Sequence, residues 1–138
     1  MARPLPPVGV ILAAAGEGRR LGHRLPKALV PLAGKPLFLH SLETFIRLTF
    51  VREVAVVLPA EWIDRIRRRH LDGLRKVVAV VPGGKRRQDS VRAGLEALST
   101  PLVLVHDAAR PLIRGEAAKA VAQAAARHGG AVLASRAV

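Results

Sequence analysis

An apolar stretch, Val8-Gly-Val-Ile-Leu-Ala-Ala-Ala15, runs straight into Gly16-Glu-Gly18-Arg-Arg20-Leu-Gly-His-Arg24-Leu-Pro-Lys27, so a buried strand hands the chain to a glycine loop studded with cations. Residues of these types in this order suit the grip on a triphosphate. Gly16 and Gly18 can take positive φ and bring their N–H groups against phosphate oxygens. Arg19, Arg20, Arg24 and Lys27 supply positive charge. Pro26 holds Leu25 extended and stiffens the chain, which aims the Lys27 ammonium from a restrained backbone. Two other glycine motifs fail on spacing. The dinucleotide fingerprint wants glycines at relative positions 1, 3 and 6, and after Gly16 and Gly18 the sixth place is Leu21. The P-loop pattern ends in Gly-Lys-Ser/Thr, whereas Gly34-Lys35 is followed by Pro36. Standing alone, the loop also fits an ordinary strand-to-helix turn with solvated arginines.

Two further clusters argue against that bland reading. Pro82-Gly-Gly-Lys-Arg-Arg-Gln-Asp-Ser90 opens with a glycine pair that lets backbone approach a flat ligand and closes on Asp89-Ser90. Ser90 suits either a hydrogen bond to a base edge or, more simply, a helix N-cap. His106-Asp-Ala-Ala-Arg-Pro111 places Asp107 at a strand end, where one carboxylate in a cationic cleft can hold Mg²⁺ together with substrate oxygens. A structural ion pair between Asp107 and Arg110 fits as well. His106 points to the opposite face of its strand and reads as a packed or hydrogen-bonded histidine.

Short apolar runs predict strands over 8–14, 53–58, 76–81, 102–106 and 131–135. They are apolar on both faces, as a parallel sheet covered by helices requires. Helical spacing predicts helices over 37–48, with Phe38, Leu42, Phe45 and Ile46 on one face, and over 61–70, 90–98 and 116–127. Pro36 suits the first helical turn and Gly129 the position just past the last helix. The alternation predicts an α/β fold, an open, doubly wound, mainly parallel sheet. Ligands bind such sheets at the carboxyl ends of the strands, where all three clusters fall.

At 138 residues, half of them apolar, the chain has the size of one domain. It has no cysteine, which excludes disulfides, thiolate metal sites and cysteine catalysis and points to the cytoplasm. No apolar run reaches the roughly 20 residues of a membrane span. The net charge of +13 raises nucleic-acid binding, but the excess is spread along the chain, and Arg65, Arg67, Arg68 and Arg69 beside Trp62, Ile63 and Ile66 read as the wet face of a helix. With three Phe, one Trp and no Tyr there is no stacking platform for single strands.

Ala13-Ala-Ala-Gly-Glu-Gly-Arg-Arg-Leu-Gly22 with Pro26-Lys27, then Gly83-Gly84 with Arg87-x-Asp89-Ser90-Val91, then His106-Asp-Ala-Ala-Arg-Pro111 resemble, in this order, the 2-C-methyl-D-erythritol 4-phosphate cytidylyltransferase family. The resemblance covers nearly the whole chain and implies a Rossmann-like nucleotidyltransferase fold, of which residues 1–138 are the CTP-binding portion of a single domain. It implies the reaction of CTP with 2-C-methyl-D-erythritol 4-phosphate to a CDP-alcohol and pyrophosphate, in non-mevalonate isoprenoid biosynthesis. Carried over by position, Ala14, Ala15, Gly16 and Gly18 surround the nucleotide, Arg20 and Lys27 are the catalytic cations, and Gly84, Lys85 and Ser90 read the cytosine. Ala108 and Arg110 lie along the nucleotide, and Asp107 binds Mg²⁺. Lys85 departs from the acidic residue often found there. The resemblance further implies a homodimer formed through a C-terminal part, carrying the acceptor site and a further lysine, that is missing from this chain. Neither nucleic acid nor membrane is an expected partner. A ribitol-5-phosphate cytidylyltransferase is the rival enzyme, set back by the Ala108-Ala109 pair, and a basic, non-catalytic nucleic-acid-binding module is the rival of a different class.

Overall fold

The computed structural model describes residues 3–16 and 25–137. In chain order its elements are β1 (Val8–Ala13), a 3₁₀ turn (Lys27–Leu29), the short strands β2 (Pro31–Leu32) and β3 (Lys35–Pro36), α1 (Leu37–Arg47), β4 (Val51–Leu58), a 3₁₀ turn (Ala60–Trp62), α2 (Ile63–Ile66), a π-helical turn (Arg67–Leu71), β5 (Val77–Pro82), α3 (Arg87–Glu96), β6 (Leu102–Asp107) and α4 (Gly115–His128). The main sheet has the order β5-β4-β1-β6 and every neighbouring pair is parallel. The chain therefore builds outward from β1 through β4 to β5 and then returns to the other side of β1. That reversal puts the switch point between β1 and β6, where such sheets bind ligands.

Period-two alternation divides the strands between two layers. Val10, Leu12, Val54, Val56 and Leu58 join Phe38, Leu42 and Phe45 of α1 and Ala118 and Ala122 of α4 in one core, while Ile11 and Val57 face α3. Gly94 of α3 sits so close to the sheet that a Cβ there would meet Ile11 Cγ2 at 2.6 Å. The fold is thus a parallel sheet with helices on both faces, as the alternating pattern requires.

Several elements depart from the sequence expectation. Residues 131–135 form no strand: Val132 and Leu133 are 88% and 59% exposed. An apolar run becomes a strand only where another strand supplies its hydrogen bonds, and no described strand runs beside this one. The helix expected over 61–70 is broken into a 3₁₀ turn, one α-helical turn and a π-helical turn closed by Asp72 N–H donating to Arg67 O at 2.9 Å. The wider turn lets Ile66 and Leu71 both enter the core while Arg67, Arg68 and Arg69 stay in water. Arg65 stacks over the Trp62 ring, 5.7 Å from its centroid. The β2–β3 hairpin escaped the sequence reading because its strands are two residues long; Ala33 and Gly34, at φ 51° and 84°, make its tight turn. Pro36 stands one place before α1, in extended conformation at ψ 141°, and Gly129 takes the left-handed conformation that ends α4.

Candidate functional site

Three loops leave the carboxyl edge of the sheet at one level, because hydrogen bonding continues one residue past each strand. Ala14 N–H donates to Val57 O at 2.8 Å, Gly83 N–H to Leu58 O at 2.9 Å and Ala108 N–H to Ala13 O at 3.0 Å. Between the loops lies a cleft of about 820 Å³, within the range of small-molecule sites. The end of β1 gives it Ala14, Ala15 and Gly16, and the 3₁₀ turn gives Lys27 and Ala28. The loop into α3 adds Gly84, Lys85, Arg86, Arg87 and Ser90, and the end of β6 adds Asp107 and Ala109. Four cations and one carboxylate on its walls suit it to an anion larger than a single phosphate.

Lys27 is presented as its sequence context suggests. Pro26 begins the 3₁₀ turn, Leu29 N–H donates to Pro26 O at 2.9 Å, and Ala28 and Leu29 are buried beneath it. The lysine stem therefore rises from backbone fixed by the core. Gly16 is exposed at the mouth of the cleft, with no atom of the described residues within 4 Å of where a Cβ would stand, and its φ is not positive. The left-handed conformation expected of it is not used; what the missing side chain leaves there is room.

The glycine pair works by close approach. A Cβ on Gly83 would overlap the Ala15 methyl and stand 2.8 Å from Ser90 Oγ, and one on Gly84 would overlap Asp89. Neither has positive φ. Helix α3 starts at Arg87, so Ser90 lies one turn inside it and is not its cap. Its buried hydroxyl accepts the Gly84 N–H at 3.2 Å. Arg86 precedes the helix, and the Asp89 carboxylate accepts the Arg86 N–H at 3.1 Å and the Arg86 guanidinium at 3.2 and 3.1 Å. These contacts hold Asp89 below the ordinary carboxylate range.

On β6, Asp107 Oδ1 accepts the Ala109 N–H at 2.9 Å, folding the strand end into a turn. The Arg110 guanidinium stands 4.0 Å from Asp107 Oδ2 and is 82% exposed, a pair too loose and too wet to contribute more than about 1 kcal/mol. His106 turns to the opposite face, as its place in the strand demands. Its ring meets Phe45 edge-on at 5.1 Å and its Nε2–H donates to Arg110 O at 2.9 Å. Burial pushes its pKa below the usual histidine value, with the Arg110 carbonyl opposing.

Of the residues singled out from sequence, Ala14, Ala15, Gly16, Lys27, Gly84, Lys85, Ser90 and Asp107 gather in the cleft. Ala108 does not line it: its side chain is fully buried in the core, and its N–H is spent on Ala13 O. The Arg110 side chain extends into solvent. Gly18 and Arg20, with Arg19 and Arg24, lie outside the described residues. Arg86 and Arg87 line the cleft and were missed as site residues because α3 was expected to begin at 90. A start at Arg87 sets Arg87 and Ser90 three apart on one helix face, which marks both.

Among the described residues no group of three or more His, Cys, Asp or Glu converges to hold a metal ion. Asp107, half exposed on the cleft wall, is nevertheless suited to Mg²⁺, which keeps several waters and is held by one or two carboxylates together with substrate phosphates.

A family model described as IspD, 2-C-methyl-D-erythritol 4-phosphate cytidylyltransferase, matches residues 8–138. The chloroplastic enzyme of that name from Oryza sativa subsp. japonica is 42% identical over 128 residues, covering 91% of this chain and 43% of the rice protein. The one from Pelotomaculum thermopropionicum is 43% identical over 137 residues, covering 92% of this chain and 55% of its own. The chain thus spans about half the length of the curated relatives it matches. Among solved structures, the 4-diphosphocytidyl-2C-methyl-D-erythritol synthase from Anaerococcus prevotii superposes with a TM-score of 0.69 at 25% identity, over 88% of this chain and 52% of that one.

Proposed function

Since the chain belongs to the 2-C-methyl-D-erythritol 4-phosphate cytidylyltransferase family, we propose that its cleft binds CTP for transfer of the cytidylyl group to 2-C-methyl-D-erythritol 4-phosphate. The products are 4-diphosphocytidyl-2-C-methyl-D-erythritol and pyrophosphate. The observation that carries the reading is the meeting of Lys27, Lys85 and Arg87 with the Gly84–Ser90 pair around one cleft. The cations suit a triphosphate, and Gly84, packed closely on Asp89, turns backbone toward the cleft, against which a flat base can lie. In the reaction an acceptor phosphate oxygen attacks the α-phosphorus while the bond to the bridging oxygen of the β-phosphate breaks and pyrophosphate leaves. Two anions must meet, so the protein's task is positioning and neutralisation of charge. No protein nucleophile is needed. Ser90, the hydroxyl on the cleft wall, is buried and already accepts a backbone N–H. Mg²⁺, held by Asp107 with substrate oxygens, would neutralise phosphate charge. The lack of cysteine agrees with a cytoplasmic setting. A homodimer rests on the family resemblance.

Calorimetric titration with CTP and with UTP, in Mg²⁺ and moderate salt, tests the reading. A saturable single site preferring CTP is expected, and equal affinities overturn the base assignment. Ser90→Ala is expected to reduce the preference by the worth of one hydrogen bond, about 1 kcal/mol, while inorganic pyrophosphate binds as before. A mutant with unaltered preference would confine Ser90 to its bond with Gly84. Asp107→Asn is expected to raise severalfold the Mg²⁺ concentration at half-maximal activity, because one formal charge leaves the metal's surroundings. An unchanged Mg²⁺ dependence makes Asp107 a turn residue only.

A further inference from the structure

The cleft wall that faces the proposed base is a loop with little support of its own. Residues 83–86 carry two glycines in succession, belong to no helix or strand beyond Pro82, and end in Lys85 and Arg86, which with Arg87 at the start of α3 make three cations in a row that repel one another. Two side chains fix this loop. Ser90 accepts the Gly84 N–H, and Asp89 accepts both the Arg86 N–H and the Arg86 fork. Gly84 lies flat against Asp89, with no space for a Cβ between them.

We infer that Asp89 is a positioning residue for base recognition: its carboxylate draws Arg86 back and seats the Gly84–Arg86 backbone against α3, so that the wall of the cleft keeps one shape. The inference rests on the cytidine reading of the site. Its sign separates it from simple electrostatics. A carboxylate beside an anion site weakens anion binding, so removing it adds effective positive charge and frees the Arg86 guanidinium for phosphate. On charge alone, Asp89→Ala binds every nucleotide more tightly and equally so. On the positioning role, the variant loses discrimination between bases even while its phosphate affinity holds or rises. A pure helix-capping role gives a third pattern, in which the melting temperature falls and the base preference stays.

The experiment measures CTP, UTP and inorganic pyrophosphate affinities of the chain and of its Asp89→Ala and Asp89→Asn variants by titration, with thermal melting alongside. Asp89→Ala is expected to lower the CTP-to-UTP preference at least fivefold with pyrophosphate binding undiminished. Asp89→Asn keeps an acceptor for the Arg86 N–H and is expected to restore most of the preference. An unchanged preference in Asp89→Ala overturns the inference and leaves the cytidine reading standing. Loss of preference in both variants alike overturns the backbone contact as its cause. A parent chain with no CTP preference overturns the cytidine reading itself and the inference with it.

Discussion

Replacing Lys27 by alanine in the active protein is expected to lower kcat about 10²–10³-fold, the effect of removing one well-placed donor from a developing anion, with a much smaller change in the affinity for CTP. Charge repulsion between the attacking phosphate and the triphosphate is greatest when the two meet, so a cation held on the cleft wall contributes most in the transition state. The 3₁₀ turn makes the effect specific. With Ala28 and Leu29 buried under Lys27, alanine at 27 removes the ammonium and leaves the backbone in place. Steady-state kinetics decide: a raised KM with kcat unaltered would assign Lys27 to ground-state binding. Arg20→Ala is expected to behave in the same way on the family resemblance.

Gly83→Ala is the second change with a large expected effect. The new methyl has to overlap that of Ala15, which is fixed to backbone and cannot rotate away, and it crowds Ser90 Oγ at 2.8 Å. Overpacking of this kind costs about 1–3 kcal/mol. It also pushes apart the β1 and β5 loops at the back of the cleft, so CTP affinity is expected to fall tenfold or more. Gly16→Ala is the control. Among the described residues nothing stands within 4 Å of its would-be Cβ, so melting should shift within about 0.5 kcal/mol of the parent. Melting curves and titrations of the pair check both statements; equal stability of Gly83→Ala and the parent would show that the two loops can separate freely.

The sequence was most legible where burial and chemistry coincide. Continuous apolar runs fix four parallel strands, and the residues at or just past their ends, Asp107, Ala14 to Gly16 and Gly84, fall in the cleft because strand ends dictate where loops begin. Reach was harder to read than position. Arg110 sits in the same motif as Asp107, yet Asp107 takes up the Ala109 N–H and closes a turn, after which Arg110 faces water. Arg86 carries no role in the sequence reading, because its pairing with Asp89, three residues on, depends on where α3 begins. The run 131–135 misled because strand pattern is a statement about neighbours, and the neighbour is not written in the segment itself.

The placement of β1 has a kinetic corollary. Its two flanking partners come from far along the chain, Val54 and Leu104 meeting at Val10. Closing such long loops before any ladder forms is slow, and parallel pairing offers no short hairpin to nucleate it. The walls at Ala14–Gly16 and at Asp107 and Ala109 hang from these late pairings, so a partly folded chain has no half-strength version of the site. A ligand held there engages only the finished sheet, and its binding energy acts as a brake on unfolding with little influence on the rate of folding.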